Sequence, residues 1–187
     1  MQHELILGGQ RSGKSRCAEA RVQAWLAGDP QRSALLIATA QPFDDEMRSR
    51  ITRHRLDRAA RLPAMTTLEE PVGLADALRA HSKERRLIVV DCLTLWLTNL
   101  LMPQRGEPLD DAALGRACDA LLDALHGATE PVVLVSNEIG LGVAPLGTET
   151  RRFVDELGRL HQAVAEVCSR VTLMVAGIEV PVKWPNR

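Results

Sequence analysis

Tyrosine is absent from this chain, and only three tryptophans and two phenylalanines stand among its 187 residues. So few rings, 3% of the sequence, argue against a stacking platform for single-stranded nucleic acid. Charge of one sign is also missing: 23 basic and 24 acidic residues leave a formal net charge of −1. A general nucleic-acid binder is therefore not expected, and any attraction for anions must come from local arrangement. The four cysteines, Cys17, Cys92, Cys118 and Cys168, form no CxxC pair. That excludes a zinc site or a disulfide framework and suits small buried hydrophobes in a reducing compartment. Long hydrophobic runs are lacking too. "LIVV" and "LTLWLTNLLM" fall far below a membrane-spanning length, and "MQHELILGG" has no basic region followed by a long apolar core. No apolar stripe or tail that would mark a partner surface is evident. The expectation is a cytoplasmic protein with no membrane span and no nucleic-acid partner.

What the chain does have is alternation. Its length and 45% hydrophobic content suit one domain, residues 1–187, with a sizeable core. "ELILGG", "ALLIATA", "AMTTL", "RLIVVDCLT", "PVVLVSNEIG" and "VTLMVAGI" read as strands. Between them lie stretches with helical spacing: "KSRCAEARVQAWLAG", "FDDEMRSRITRHRLDR", "EPVGLADALRAHSKER", "LTLWLTNLLM", "DAALGRACDALLDALHG" and "TETRRFVDELGRLHQAVAEVCSR". Apolar strands without internal polar alternation, separated by helices, predict an α/β fold with a mostly parallel sheet covered on both faces. Asp44 or Asp45 is placed to cap the second helix. The tail "EVPVKWPNR", with prolines at 181 and 185, is expected to lie over the surface.

"GGQRSGKS" matches G-x-x-x-x-G-K-[ST] in full, follows an apolar strand and opens a helix. Over Gly8, Gly9, Gln10, Arg11, Ser12, Gly13, Lys14 and Ser15 the backbone can curl so that successive N–H groups face phosphate oxygens. Lys14 can reach the β- and γ-phosphates, and Ser15 can offer its hydroxyl to Mg²⁺. A phosphate loop of this kind usually has an acidic partner at the end of a neighbouring strand. "LIVVD" ends in Asp91, which could hold Mg²⁺ or its water shell, or could simply cap the helix that follows. Glu138, in "VVLVSNEIG", is a weaker candidate for the same duty.

The stretch "MRSRITRHR" raises a second question. If it is helical, Met47, Ile51 and His54 share a face, with Arg50 one turn before His54 and Arg58 one turn after. Arg48, Arg53 and Arg55 are rotated away and could be merely solvated. A neutral imidazole among guanidiniums can attack phosphorus near neutral pH, and arginines match phosphate oxygens bidentately. A partly buried structural histidine is the alternative.

Several motifs together extend the reading. "GGQRSGKS", "IATAQPFDDEMRSRITRHR", "TTLEEP", "VVDCLT" with "TNLL", and "VVLVSNEIGLGVAP" resemble the bifunctional adenosylcobinamide kinase / adenosylcobinamide-phosphate guanylyltransferase family of cobalamin biosynthesis. The resemblance runs in order from Leu5 to Lys183. It implies a RecA-like P-loop NTPase domain with two activities. Adenosylcobinamide is phosphorylated with ATP or GTP. GMP is then transferred from GTP, through a GMP-histidine intermediate, to give adenosylcobinamide-GDP. The resemblance places the guanylylated histidine at His54. It places nucleotide contacts at Gly8–Ser15, at Thr39, Ala40 and Gln41, at Arg55, Leu56, Asp57 and Arg58, and at Glu69 and Asp91. It also implies Mg²⁺ at Ser15 and Asp91, and a homo-oligomer, specifically a trimer. The chain departs from the family at Met65, where a tryptophan is usual, and at His161, where an asparagine is usual. Two other readings compete: a monofunctional P-loop kinase with a structural His54, and a switch that binds nucleotide without transferring it.

Overall fold

The structure, a computed structural model, describes residues 3–184, and for Arg50, His54, Asp57 and Ala59 it describes the backbone alone. Its strands are β1 (Glu4–Gly8), β2 (Ser33–Ala38), β3 (Met65–Glu69), β4 (Arg86–Asp91), β5 (Val132–Val135), β6 (Arg170–Val175) and β7 (Ile178–Lys183). The helices are α1 (Lys14–Ala27), α2 (Asp45–Arg61), α3 (Leu74–His81), α4 (Leu93–Leu101), α5 (Asp111–Gly127) and α6 (Thr148–Val167). All seven strands join one sheet in the order β3-β2-β4-β5-β1-β6-β7. Every pairing is parallel except β6 with β7.

Successive residues of the central strands enter opposite cores, as side chains of period two must. Leu5, Leu35, Ile37, Ile88, Val90 and Leu134 pack with Leu78, Trp96, Leu97, Leu121, Leu125, Leu157 and Val164 from α3 to α6. Ile6, Leu36, Val89 and Val133 pack on the other face with Cys17, Ala18 and Val22 of α1 and with Leu62, just after α2. Burial on both faces is why these strands read as continuous apolar runs, and the expected α/β sheet is what forms.

Four boundaries differ from expectation, each for a local reason. Helix α3 starts only at Leu74, because Pro71 and Gly73 hold the preceding turn and the Glu70 carboxylate accepts from the Val72 and Gly73 amides. Its last expected residues, 82–85, lie beyond its end at His81. Strand β5 ends at Val135, so Glu138 lies three residues past the strand and not at its tip. Of the segment expected to lie over the surface, residues 179–183 instead belong to β7, the antiparallel outer strand, where Pro181 is tolerated because an edge strand need not donate outward; residues 185–187 lie outside the described residues. Asp44, not Asp45, caps α2, accepting from the Met47 amide at 2.7 Å. Among the described residues no helix is long and apolar enough to cross a membrane. Apolar surface does remain outside, however: Leu141, Val143 and Leu146 are 83%, 98% and 95% exposed, and Ile178 and Val182 of β7 are exposed as well. The expectation of no exposed apolar stripe is thereby corrected.

Candidate active site

The six parallel strands, β1 to β6, end at one edge of the sheet, and the ends of five of them with the segments that follow border a cavity of about 460 Å³. The loop from Gly8 to Gly13 turns on left-handed backbone at Arg11 (φ 57°) and Gly13 (φ 105°) and on φ 152° at Gly8. A Cβ at Gly8 would stand 2.6 Å from the Met174 carbonyl oxygen and 2.6 Å from Ser12 Oγ. The carbonyl belongs to β6 and cannot yield without breaking the sheet. Gly8→Ala is therefore expected to cost about 3 kcal/mol of folding stability, read as a lower urea midpoint.

Helix α1 begins at Lys14 with Gly13 as its N-cap and no side-chain cap, so its first-turn amides are oriented for an anion. Among the described residues the buried Ser12 Oγ has no hydrogen-bond partner, a second sign that this loop is built around a ligand. Lys14 is itself buried, and its Nζ donates to the Gly8 and Gly9 carbonyls at 3.0 and 2.7 Å. The ammonium is thus carried directly above the curl of amides.

The opposite wall comes from β4 and α4. Thr39, fully buried after β2, donates through Oγ1 to the Cys92 carbonyl (2.7 Å) and accepts from the Cys92 amide (2.9 Å). The Thr39 amide donates to the Asp91 carbonyl at 3.0 Å. Asn99 of α4 donates to the carbonyls of Thr39 (2.8 Å) and Pro71 (2.9 Å), tying together the loops that follow β2 and β3. Those loops flank Ala40 and Glu69 on the cavity wall. Asp91 faces the cavity with Ser15, and Arg58 Nη2 approaches Asp91 Oδ2 to 3.6 Å. Cys92 also borders the cavity, but burial pushes its thiol up to about 12, so it is no rival nucleophile.

Helix α2 forms the roof. Met47, Ile51, Arg53, Arg55, Arg58 and Arg61 line the cavity, and Arg55 pairs with Glu69 at 2.9 Å. Arg53 and Arg55 are therefore not merely solvated, as their rotation from Met47 and Ile51 suggested. The apolar stripe of α2 marks the face that meets the core, whereas a phosphate-sized cavity recruits the polar flank beside it. Arg48 does stay outside, exposed, 3.8 Å from Asp45. His54 sits in α2 between Ile51 and Arg58, three and four residues from each; its side chain lies outside the described residues, as do those of Arg50 and Asp57.

Around the wall stand Arg11, Lys14, Arg16, Arg53, Arg55, Arg58 and Arg61, against two carboxylates among the described lining residues, Glu69 and Asp91; Arg61 also pairs with Glu19 at 2.8 Å. A chain of net charge −1 has gathered its cations at one place, as a polyphosphate site requires. Of the other expected contacts, Leu56 is 68% exposed and away from the cavity, and Gly8, Gly9, Gln10, Thr39 and Gln41 do not border it. Glu138 does not border it either; its carboxylate accepts from the Gly140 amide and lies 3.8 Å from His161 Nδ1. Arg16, Arg53, Arg61, Thr67 and Asn137 were not anticipated as lining residues. For Asn137 a signal existed, a polar Ser-Asn pair directly after the apolar run "VVLV".

Ser15 and Asp91 offer one hydroxyl and one carboxylate oxygen set to the same cavity. Among the described residues no group of three or more His, Cys, Asp or Glu could hold a metal by itself. That donor set fits Mg²⁺, which keeps several waters and takes substrate phosphates as its remaining ligands.

His3 and His161 are both buried, and burial holds their imidazoles below the usual value of 6.5. The unfolded chain takes up protons near 6.5 while the folded one resists until its lowered values are reached. Stability is therefore expected to fall as pH drops below about 6.5 and to level off below the folded values. His161→Asn should flatten part of that slope in urea midpoints measured across this range; an unchanged slope would mean His161 does not contribute.

Comparison with known proteins agrees with this geometry. Residues 4–182 match the family described as cobinamide kinase / cobinamide phosphate guanyltransferase. The chain is 50% identical over 180 residues to the bifunctional adenosylcobalamin biosynthesis protein CobP of Pseudomonas aeruginosa, covering 96% of each. It is 37% identical over 187 residues to the bifunctional adenosylcobalamin biosynthesis protein CobU of Escherichia coli, covering 96% of this chain and 98% of the relative. A solved Pyrococcus horikoshii OT3 protein, studied as Project ID PH0250, superposes with a TM-score of 0.55 at 9% identity over 99% of this chain and 87% of its own, a likeness of fold alone. With the phosphate loop, the Asp91 strand and the arginine-lined helix converging on one cavity, this chain belongs to the cobinamide kinase / cobinamide phosphate guanyltransferase family.

Proposed function

We propose that this protein phosphorylates adenosylcobinamide with ATP or GTP and then guanylylates the product from GTP, with His54 as the covalent carrier of GMP. The observation that carries the reading is the shared cavity: Lys14, Ser15, Asp91, Arg55 and Arg58 all border it, and His54 lies in the helix that roofs it. A triphosphate laid along α1's N-terminus has its charge offset by the loop amides and Lys14. Ser15 and Asp91 would hold Mg²⁺, which neutralises charge on the phosphates when bound.

In the transfer step a neutral His54 imidazole nitrogen forms a bond to the α-phosphorus. The bond from that phosphorus to the bridging oxygen breaks, and pyrophosphate leaves with the electron pair. The ring gives up its other proton to solvent. Arg55 and Arg58 stand where they can stabilise the charge growing on the phosphates. A phosphate oxygen of the phosphorylated corrinoid then attacks the same phosphorus, the N–P bond breaks with its electron pair returning to the ring, and the ring takes its proton back from solvent to leave a neutral imidazole. Intact-protein mass spectrometry after incubation with GTP and Mg²⁺ tests the reading: one GMP per chain, acid-labile and base-stable, is expected. A chain that turns over GTP in the kinase step yet never gains GMP would reduce the protein to a monofunctional kinase.

We further propose that the chain works in the cytoplasm as a homo-oligomer, a trimer by the resemblance. The exposed apolar residues of 139–146 and of β7 support an assembled state, and light scattering of the purified protein measures it.

A further inference from the structure

Strand β5 lies between β1, which leads into the phosphate loop, and β4, which ends in Asp91. Past Val135 the chain keeps following β1: the Ser136 amide donates to the Ile6 carbonyl and the Glu138 amide to the Gly8 carbonyl, each at 3.0 Å. Asn137 is thereby set between the tips of the two strands that carry the phosphate chemistry. Its backbone amide donates to Thr94 Oγ1 at 2.8 Å. Thr94 Oγ1 shares a hydrogen bond with Ser136 Oγ (3.0 Å), and Ser136 Oγ another with His161 Nε2 (2.7 Å). Thr94, Ser136 and His161 are all buried, and none of the three borders the cavity. Asn137 alone of this network does, beside Lys14, Ser15 and Asp91. Among the described residues its carboxamide makes no hydrogen bond to protein.

A buried polar network that fixes one backbone position and leaves that residue's side chain unspent is an arrangement for presenting a donor. We propose that the Asn137 carboxamide donates a hydrogen bond to the terminal phosphoryl group of the bound triphosphate and is a catalytic residue of the kinase step. Thr94, Ser136 and His161 are its positioning residues. The assignment rests on the placement of the triphosphate against Lys14 and Asp91 argued above. Lys14 would serve the β- and γ-phosphates, and Ser15 and Asp91 would hold a metal that offsets charge there, so a side chain beside all three would meet the terminal phosphate and not the α-phosphate. In that step the acceptor hydroxyl oxygen forms its bond to the γ-phosphorus, and the bond to the β,γ-bridging oxygen breaks. The electron pair stays on the departing diphosphate. The hydroxyl proton passes to an oxygen of the transferred phosphoryl group and on to solvent. Asn137 gains and loses no proton; its N–H groups offset charge on the equatorial oxygens.

The test is Asn137→Ala, with the two half-reactions measured separately. Kinase kcat is expected to fall about 100-fold with nucleotide KM changed less than about threefold, as for loss of a donor that acts in the transition state. GMP loading of the chain from GTP, which occurs at the α-phosphorus, should stay within about threefold of the parent. Ser136→Ala should lower kinase kcat by a smaller factor, again at constant KM. A kinase kcat unchanged in Asn137→Ala overturns the proposal, and so does an equal fall in both half-reactions. Lys14→Ala tells the two levels apart. If it leaves nucleotide use intact, the placement of the phosphates has failed; if it abolishes nucleotide use while Asn137→Ala is silent, only the role of Asn137 has.

Discussion

His54→Ala is expected to abolish GMP loading, a loss of about 10⁴-fold or more, while kinase turnover stays within about threefold of the parent. The asymmetry follows from chemistry. Phosphorylation of an alcohol by a nucleoside triphosphate needs positioning and charge, which the phosphate loop and Asp91 supply without a covalent step. GMP transfer by way of the chain needs a nucleophile, and the competing candidate at the cavity, Cys92, is kept a neutral thiol by burial. The measurement is single-turnover labelling with α-labelled GTP, alongside steady-state phosphorylation of the corrinoid alcohol. A variant that still labels fully would remove His54 from the role and point to a different nucleophile.

Lys14→Ala should damage both reactions, each by about 10²- to 10³-fold. Lys14 follows directly on the loop, buried and bonded to the Gly8 and Gly9 carbonyls. Its charge is delivered to the phosphates from a fixed position and is not screened as an exposed lysine would be. One cradle serving both reactions predicts parallel losses. If kinase turnover collapsed and GMP loading survived, a second phosphate site would have to exist elsewhere on the chain.

Much of this is legible in the amino-acid sequence, and the legible parts share a cause. The phosphate loop is local: strand, curl and helix follow one another within about a dozen residues, so a linear pattern captures the whole device. Strands β1, β2, β4 and β5 announced themselves because both faces of each are buried. Strand β7 did not, since its exposed residues, its proline and its charges obey edge-strand rules that resemble those of a surface tail. The cavity wall was harder. Arg61 and Thr67 come to it from the end of α2 and from β3, and Asn137 from beyond β5, across three strands of the sheet. No spacing along the chain encodes that convergence. On α2 the apolar periodicity pointed to Met47 and Ile51 correctly but set aside Arg53 and Arg55, because hydrophobic patterning locates a core and says nothing of a polar chamber at its margin.

The antiparallel turn between β6 and β7 has a consequence for the order in which the protein becomes competent. Ala176 and Gly177 take left-handed backbone there, the Gly177 amide donates to the Ser12 carbonyl at 2.9 Å, and Gly177 Cα would lie 3.3 Å from a Cβ on Gly13. Strand β7 is fastened in turn by Arg21, which bridges Glu4 and Glu179. The phosphate loop leans on a turn that is translated long after it. A ribosome that has completed α6 has already made the proposed phosphate-binding residues, yet not the prop that holds their loop in shape. Nucleotide can reward folding by mass action only after residue 177 has emerged, so the nascent protein gathers its core first and its ligand afterwards.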